Sequence, residues 1–77
     1  MYNQLFGERL QQLRKQKGIT QRKLGEDLGL PLNFISQFEN GKRQADYKTL
    51  ILFADYFDVS VDYLVQRTDN PLFSKDK

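Results

Sequence analysis

The sequence predicts an all-α fold, in which five short helices pack as one compact domain of 77 residues. Apolar residues recur at intervals of three and four along most of the chain, which is the spacing of one face of an α-helix. Sustained alternation of apolar and polar residues, the pattern of a half-buried strand, is missing. Glycines and good N-cap residues separate the apolar segments, so we expect short connections.

Two helices are predicted in the N-terminal part of the chain. The first covers about residues 3–17 and ends at Gly18. The second begins after Thr20, a good N-cap, and ends at Gly29. Apolar residues form their inner faces: Phe6, Leu10 and Leu13 in the first helix, Leu24 and Leu28 in the second.

A third helix, about residues 31–40, follows across the three-residue turn Gly29-Leu30-Pro31. Such a tight turn needs a residue that reaches positive φ, and Gly29 supplies it. Gly25 leaves room for the two helices to approach, because it carries no side chain. Residues 20–40 therefore predict a helix-turn-helix with one apolar seam, formed by Leu24, Leu28, Leu30, Ile35 and Phe38.

The C-terminal part of the chain predicts two more helices. The fourth, residues 47–57, follows the N-cap Asp46, and the fifth follows Ser60 and runs to about residue 66. Their inner residues are Leu50, Phe53, Ala54 and Phe57 in the fourth helix, and Val61 and Leu64 in the fifth. We therefore assign a helix-turn-helix domain to residues 1–66 and a polar tail to residues 67–77.

The composition excludes several classes of protein. The chain has no cysteine and no histidine, so disulfides and the usual zinc sites are excluded. It has no glycine-rich phosphate loop and no visible nucleophile with a base, so we expect no enzyme, no metal and no cofactor. We see no signal peptide and no apolar segment near bilayer length, so we expect a soluble, cytoplasmic protein without membrane contact.

Charge is distributed unevenly along the chain. Residues 1–48 hold nine Lys or Arg against five Asp or Glu, whereas residues 49–77 hold three against five. This asymmetry suggests a basic side that faces an anion and an acidic side that faces away. A mixed, solvated surface explains the same counts equally well.

A larger set of residues resembles the pattern of one known family. The set comprises Gly7-Glu8-Arg9-Leu10, Leu13-Arg14, Gly18-Ile19-Thr20-Gln21, Leu24-Gly25, Leu28-Gly29, Ile35-Ser36, Glu39-Asn40-Gly41, Leu50, Ala54, Val59-Ser60-Val61-Asp62 and Leu64. With it, residues 6–65 resemble the Cro/repressor (lambda-repressor-like, XRE) family of helix-turn-helix regulators. The resemblance implies a sequence-specific transcriptional regulator that binds double-stranded DNA, and we expect a repressor acting as a homodimer on an inverted-repeat operator.

The resemblance also implies which residues contact bases. In this family the third helix enters the major groove, and its outer face here carries Leu32, Asn33, Ser36 and Gln37. Asn33 and Gln37 can bond to adenine N6 and N7, and Leu32 can pack on a thymine methyl group. We therefore expect half-sites rich in A·T pairs, with no Arg or Lys placed to contact guanine. The alternative is that these polar residues are simply solvated.

Other residues are predicted to contact the DNA backbone or to hold the domain together. By resemblance, Gln21 and Asn40 contact phosphates, and Arg14 forms a structural ion pair with Glu39. The remaining residues that we predict to contact the DNA backbone are Arg22, Phe34, Lys42 and Arg43. Phe34 could also contact thymine methyl groups or sugars, and Lys42 and Arg43 could belong to an ordinary solvated loop.

The sequence departs from the family pattern at three positions. Pro31 stands where the family usually has a Ser, Thr or Asp cap, so the entry into the third helix could be shifted. Gly25 replaces the more common alanine, and Asp58 replaces the more common glycine. The last two changes concern stability more than function.

Apolar residues outside the inner stripes suggest a dimer interface. Leu52, Tyr56, Val61 and Tyr63 are its predicted members, and Leu72 and Phe73 of the tail could join them. The alternative is that these residues cover the core of a monomer. A second alternative concerns function, because some helix-turn-helix proteins act as antitoxin-like modules that hold a protein partner, and the polar tail could serve that role.

Overall fold

A computed structural model describes residues 2–71, and within this part of the chain all regular structure is helical. The helices are α1 (Tyr2–Lys17), α2 (Gln21–Leu28), α3 (Leu32–Glu39), α4 (Tyr47–Phe57) and α5 (Val61–Leu64). The predicted all-α fold with five helices is therefore confirmed. The third helix is one residue shorter at each end than predicted, and the fifth ends at Leu64 because Gln66 adopts a left-handed conformation with φ 63°.

The three predicted N-caps are confirmed. Thr20 Oγ1 accepts a hydrogen bond from the Lys23 N–H at 3.0 Å, and Asp46 and Ser60 make the equivalent bonds at the starts of α4 and α5. Each cap satisfies one of the backbone donors that a helix leaves free in its first turn. The local sequence thus fixes where these three helices begin.

Three phenylalanine rings form the centre of the core. Phe6 of α1, Phe38 of α3 and Phe53 of α4 are at most 3% exposed, and their ring centroids are 5.6–5.8 Å apart. Such tilted and edge-on contacts favour aromatic pairs beyond the burial of their area. The triad joins three helices that are distant in the sequence. Ala45 and Val65 also belong to the core, although the sequence patterns did not identify them.

Gly7 allows α1 to lie directly against the C-terminal end of α3. A Cβ atom at this position would lie 2.4 Å from the Phe38 carbonyl oxygen and 2.7 Å from the Glu39 carbonyl oxygen. Both distances are far shorter than a real contact, and backbone atoms cannot move aside as a side chain can. The close approach of the two helices therefore requires glycine.

A buried ion pair joins the same two helices, as the resemblance implied. Arg14 Nε donates to Glu39 Oε2 at 2.6 Å and Nη2 donates to Oε1 at 3.1 Å. The Glu39 side chain is only 1% exposed and that of Arg14 is 11% exposed. Arg14 Nη1 also donates to the Ile19 carbonyl oxygen at 2.9 Å, and Gln21 Nε2 donates to Glu39 Oε1 at 3.0 Å. These bonds tie α1, the following turn, α2 and α3 together.

The turn between α2 and α3 has the predicted geometry. Gly29 has φ 69°, and the Leu30 N–H donates to the Gly25 carbonyl oxygen at 2.9 Å. A Cβ atom on Gly25 would lie 3.1 Å from the Leu30 carbonyl oxygen, so glycine does leave room here. Pro31 provides no side-chain cap, and α3 simply begins one residue later, at Leu32. Asp58 does occupy a left-handed position, with φ 58°.

Residues 67–71 do not extend away from the domain as a free tail would. The Ser60 N–H donates to the Pro71 carbonyl oxygen at 3.0 Å, and Arg9 Nη2 lies 3.8 Å from Asp69 Oδ1. Gln66 Nε2 donates to the Leu5 carbonyl oxygen at 2.7 Å. This segment therefore turns back over α1 and α5. Leu72 and Phe73 lie outside the described residues. No helix in residues 2–71 is long and apolar enough to cross a membrane.

Replacing Gly7 should weaken the contact between α1 and α3. We expect Gly7→Ala to lower the free energy of unfolding by about 1–3 kcal/mol, because overpacking against backbone outweighs the gain in helix propensity. Chemical denaturation measures the change. Gly25→Ala is the matched control, since its Cβ would meet one loop carbonyl at 3.1 Å and should be tolerated better. Equal effects of the two variants would contradict this account.

Breaking the buried ion pair should be costly and strongly coupled. We expect Arg14→Met to lower the free energy of unfolding by about 3–5 kcal/mol, because Glu39 would stay buried without its cation. A double-mutant cycle with Glu39→Leu should give a coupling energy of about 1–3 kcal/mol. The control Arg22→Met, at an exposed position of α2, should change stability by no more than about 0.5 kcal/mol. A coupling energy of zero would contradict the stabilising interaction between Arg14 and Glu39.

Candidate nucleic-acid interface

The outer face of α3 carries the four predicted base-contacting residues. Leu32 is 49% exposed and Asn33 is exposed, while Ser36 and Gln37 are half-buried. The opposite face is packed into the core through Ile35, which is fully buried. The spacing of three and four residues along a helix brings Asn33, Ser36 and Gln37 onto one side. The structure thus brings these side chains together, while their contact with bases stays a prediction.

Arg43 lies against the outer face of α3. Its guanidinium carbon is 3.6 Å from the centre of the Phe34 ring, and its Nε donates to Gln37 Oε1 at 2.7 Å. The Arg43 side chain is therefore held against α3. It is not freely solvated, as the alternative interpretation of this loop assumed. One face of the Phe34 ring is covered by it, which leaves less of this ring for DNA. The sequence offered no signal for this contact, because the two residues belong to different elements.

Gln21 occupies the first position of α2, where a helix offers free backbone N–H groups to phosphate. Its side chain is directed inward, however, since Nε2 donates to the buried carboxylate of Glu39. The predicted phosphate contact of Gln21 therefore depends on its backbone N–H group or on the amide hydrogen that remains.

Three predicted backbone-contacting residues are exposed near α3: Arg22, Asn40 and Lys42. Within residues 2–71, neither Arg22 nor Lys42 forms an ion pair, so both cations are available to an external anion. Asn40 Nδ2 makes a long hydrogen bond of 3.5 Å to Ser36 Oγ. The loop after α3 folds back onto the helix, because the Lys42 and Arg43 N–H groups both donate to the Gln37 carbonyl oxygen, at 2.8 and 3.2 Å.

The predicted dimer residues differ in their surroundings. Leu52 is 38% exposed and makes no polar contact. Tyr56, Val61 and Tyr63 are half-buried, and both tyrosines have partners within the chain. The Arg9 guanidinium carbon lies 3.9 Å from the centre of the Tyr63 ring. These contacts indicate that the two tyrosines help to cover the core. The dimer interface stays a prediction.

The hydroxyl group of Tyr56 links α4 to α2. It donates to Asp27 Oδ2 at 2.6 Å, and Lys23 Nζ lies 3.1 Å from Asp27 Oδ1. The hydrogen bond to Asp27 raises the pKa of Tyr56 to about 12, because it stabilises the protonated hydroxyl group. The same bond, followed by that from Lys23, lowers the pKa of Asp27. The hydrogen bond between Tyr56 and Asp27 thus links α4 to α2.

Comparisons of the sequence identify relatives among curated proteins. A family model described as helix-turn-helix matches residues 10–64. The uncharacterized HTH-type transcriptional regulator YqaE of Bacillus subtilis is 38% identical over 73 residues, which are 95% of this chain and 63% of that protein. The HTH-type transcriptional regulator ImmR of the same organism is 33% identical over 64 residues, 83% of this chain and 50% of that protein. The chain thus spans about half to two thirds of the length of these relatives.

Solved structures share the fold. The restriction-modification controller protein C.AhdI from Aeromonas hydrophila matches with a TM-score of 0.74 and 29% identity, over 80% of this chain and 94% of that one. The clp gene regulator ClgR from Corynebacterium glutamicum matches with a TM-score of 0.78 and 23% identity, over 86% and 70%. At 23% identity, the similarity to ClgR concerns the fold alone. From the family match and these relatives, the chain belongs to the Cro/repressor (XRE) family of helix-turn-helix proteins, and its fold is lambda-repressor-like.

Proposed function

We propose that this chain is a sequence-specific DNA-binding domain of a transcriptional regulator, with α3 in the major groove of double-stranded DNA. The observation that carries the proposal is the outer face of α3, where exposed and half-buried side chains suited to base edges lie on a helix whose opposite face is packed into the core. The relatives are named transcriptional regulators, which supports the same function. No catalytic role is part of this proposal.

Specificity in this proposal comes from Leu32, Asn33, Ser36 and Gln37. The Asn33 amide suits adenine, since it can accept from N6 and donate to N7, and Leu32 suits the thymine methyl group. Affinity comes from the residues around them, with Arg22, Asn40 and Lys42 contacting phosphates. Each phosphate that a cation neutralises releases counterions, so binding should weaken steeply as salt rises.

We propose repression as the mode of control, because occupying an operator excludes other proteins from the same DNA and needs no further surface on this chain. Operator DNA as the partner places the protein in the cytoplasm. The DNA-binding domain in this proposal is residues 1–66, and the family match to residues 10–64 supports that extent. Residues 67–77 follow it in the sequence.

A homodimer is the proposed assembly, with exposed Leu52 and half-buried Val61 on its contact surface. Two α3 helices related by a two-fold axis would contact half-sites about one helical turn, roughly 34 Å, apart. The operator would then be an inverted repeat.

Selection of bound sequences from random duplex DNA tests the proposed function. At near-physiological salt we expect enrichment of an inverted repeat with half-sites rich in A·T pairs. Asn33→Ala should weaken binding to this site by about 1–3 kcal/mol and relax one position, whereas Lys42→Ala should weaken binding to all sequences equally. If the wild-type protein enriches no sequence, the proposed function is wrong.

Sedimentation without DNA tests the dimer. We expect Leu52→Lys to give a monomer, because a charge would be buried between the two copies. The matched control is Tyr47→Lys, on the first turn of the same helix, where the side chain is 69% exposed. We avoid Tyr56 here, since changing it would also break its bond to Asp27. A Leu52→Lys protein that remains as dimeric as the wild type would exclude this surface.

A further inference from the structure

The loop residue Arg43 is fixed to α3 by three contacts. Its backbone N–H donates to the Gln37 carbonyl oxygen at 3.2 Å, and its Nε donates to Gln37 Oε1 at 2.7 Å. Its guanidinium group also stacks on the Phe34 ring at 3.6 Å. A cation over an aromatic face is attracted by the negative face of the ring quadrupole. The side chain is therefore placed before any DNA arrives.

This contact decides what Gln37 can offer to a base. The amide oxygen already accepts from Arg43 Nε, so the amide is oriented with its NH₂ group as the free donor. An adenine would have to bring its N6 amino group to the same oxygen, beside the guanidinium. The oxygen has a second lone pair, but an N6 amino group bonded there would lie next to the positively charged guanidinium, which repels it. A bidentate contact from Gln37 to adenine is therefore disfavoured.

Arg43 itself keeps donors available. A guanidinium group has five N–H donors, and here only Nε–H is used. Within residues 2–71, its terminal nitrogens form no hydrogen bond and no ion pair. The side chain is half-buried, so part of it remains accessible to an external group. The pair of Gln37 and Arg43 thus offers donors to a base edge.

Guanine is the base that matches this pattern. Its major-groove edge presents two acceptors, O6 and N7, whereas adenine presents one acceptor and one donor. We propose that Gln37 and Arg43 together recognise a guanine in each half-site, with Phe34 as the platform that holds Arg43. This inference rests on the proposed function and changes the base expected at one position of the half-site. The half-site would contain a G·C pair within its A·T-rich sequence.

Four duplexes test the proposal. They carry the selected operator and differ only at one base pair, which is the position that loses its preference when the same selection is repeated with the Gln37→Ala variant. We expect the wild-type protein to bind the duplex with guanine about tenfold more tightly than the one with adenine, the effect of one good bidentate contact. Arg43→Lys keeps the charge but loses the planar stack and the Nε bond. It should reduce the preference for guanine to within about twofold.

The matched control is Lys42→Gln, which removes a cation from the same loop and leaves the contacts of the Gln37 side chain unchanged. It should weaken binding to all four duplexes by a similar factor. Circular dichroism melting of each variant establishes that it is folded. A preference for adenine that Arg43→Lys leaves unchanged would overturn the proposal while leaving the proposed function intact. An equal loss on all four duplexes in Arg43→Lys would make Arg43 a phosphate contact and also overturn it. Absence of any selected sequence would reject the proposed function together with this inference.

Discussion

The contact between α1 and the C-terminal end of α3 is the constraint on which the arrangement of this protein depends. Gly7 lets the two helix backbones meet, and the carboxylate of Glu39 is buried beside them against Arg14. A buried carboxylate is tolerated only when it is paired and hydrogen-bonded, and here it accepts three hydrogen bonds. A helix fixed in this way at one end presents its outer face in one orientation.

The other end of α3 is fixed by the turn rather than by charge. Gly29 takes the left-handed conformation, and Gly25 allows the chain to cross closely over α2. Ile35 then packs into the space between the two helices, fully buried. Because both ends are held, the exposed residues of α3 keep their relative positions without help from a ligand. This preorganisation reduces the entropy that binding would otherwise lose.

The outer face of α3 is not an isolated helix surface, because the loop after it contributes as well. Arg43 reaches back over Phe34 to Gln37, so one loop residue determines which hydrogen-bonding groups of the helix remain free. In the same way, the side chain of Gln21 at the start of α2 donates to the buried carboxylate of Glu39, which limits what it can offer to an external group. The hydrogen-bonding groups that a side chain offers at such a surface depend on its partners within the chain. An amide whose oxygen already accepts a hydrogen bond offers mainly its NH₂ group as a donor.

The sequence predicted the helices, their three N-caps and the turn at Gly29, because these depend on local spacing and on residue types within a few positions. It predicted the family through resemblance to a known pattern. It also indicated the pairing of Arg14 with Glu39, through resemblance alone. Only the tertiary structure decided the need for glycine at position 7 and the contact of Arg43 with Gln37. Each of these features involves residues of two different elements, which come within a few ångströms of each other only in the folded chain. Helical periodicity indicates which face of a helix is apolar, but it does not give the distance between that helix and its neighbours.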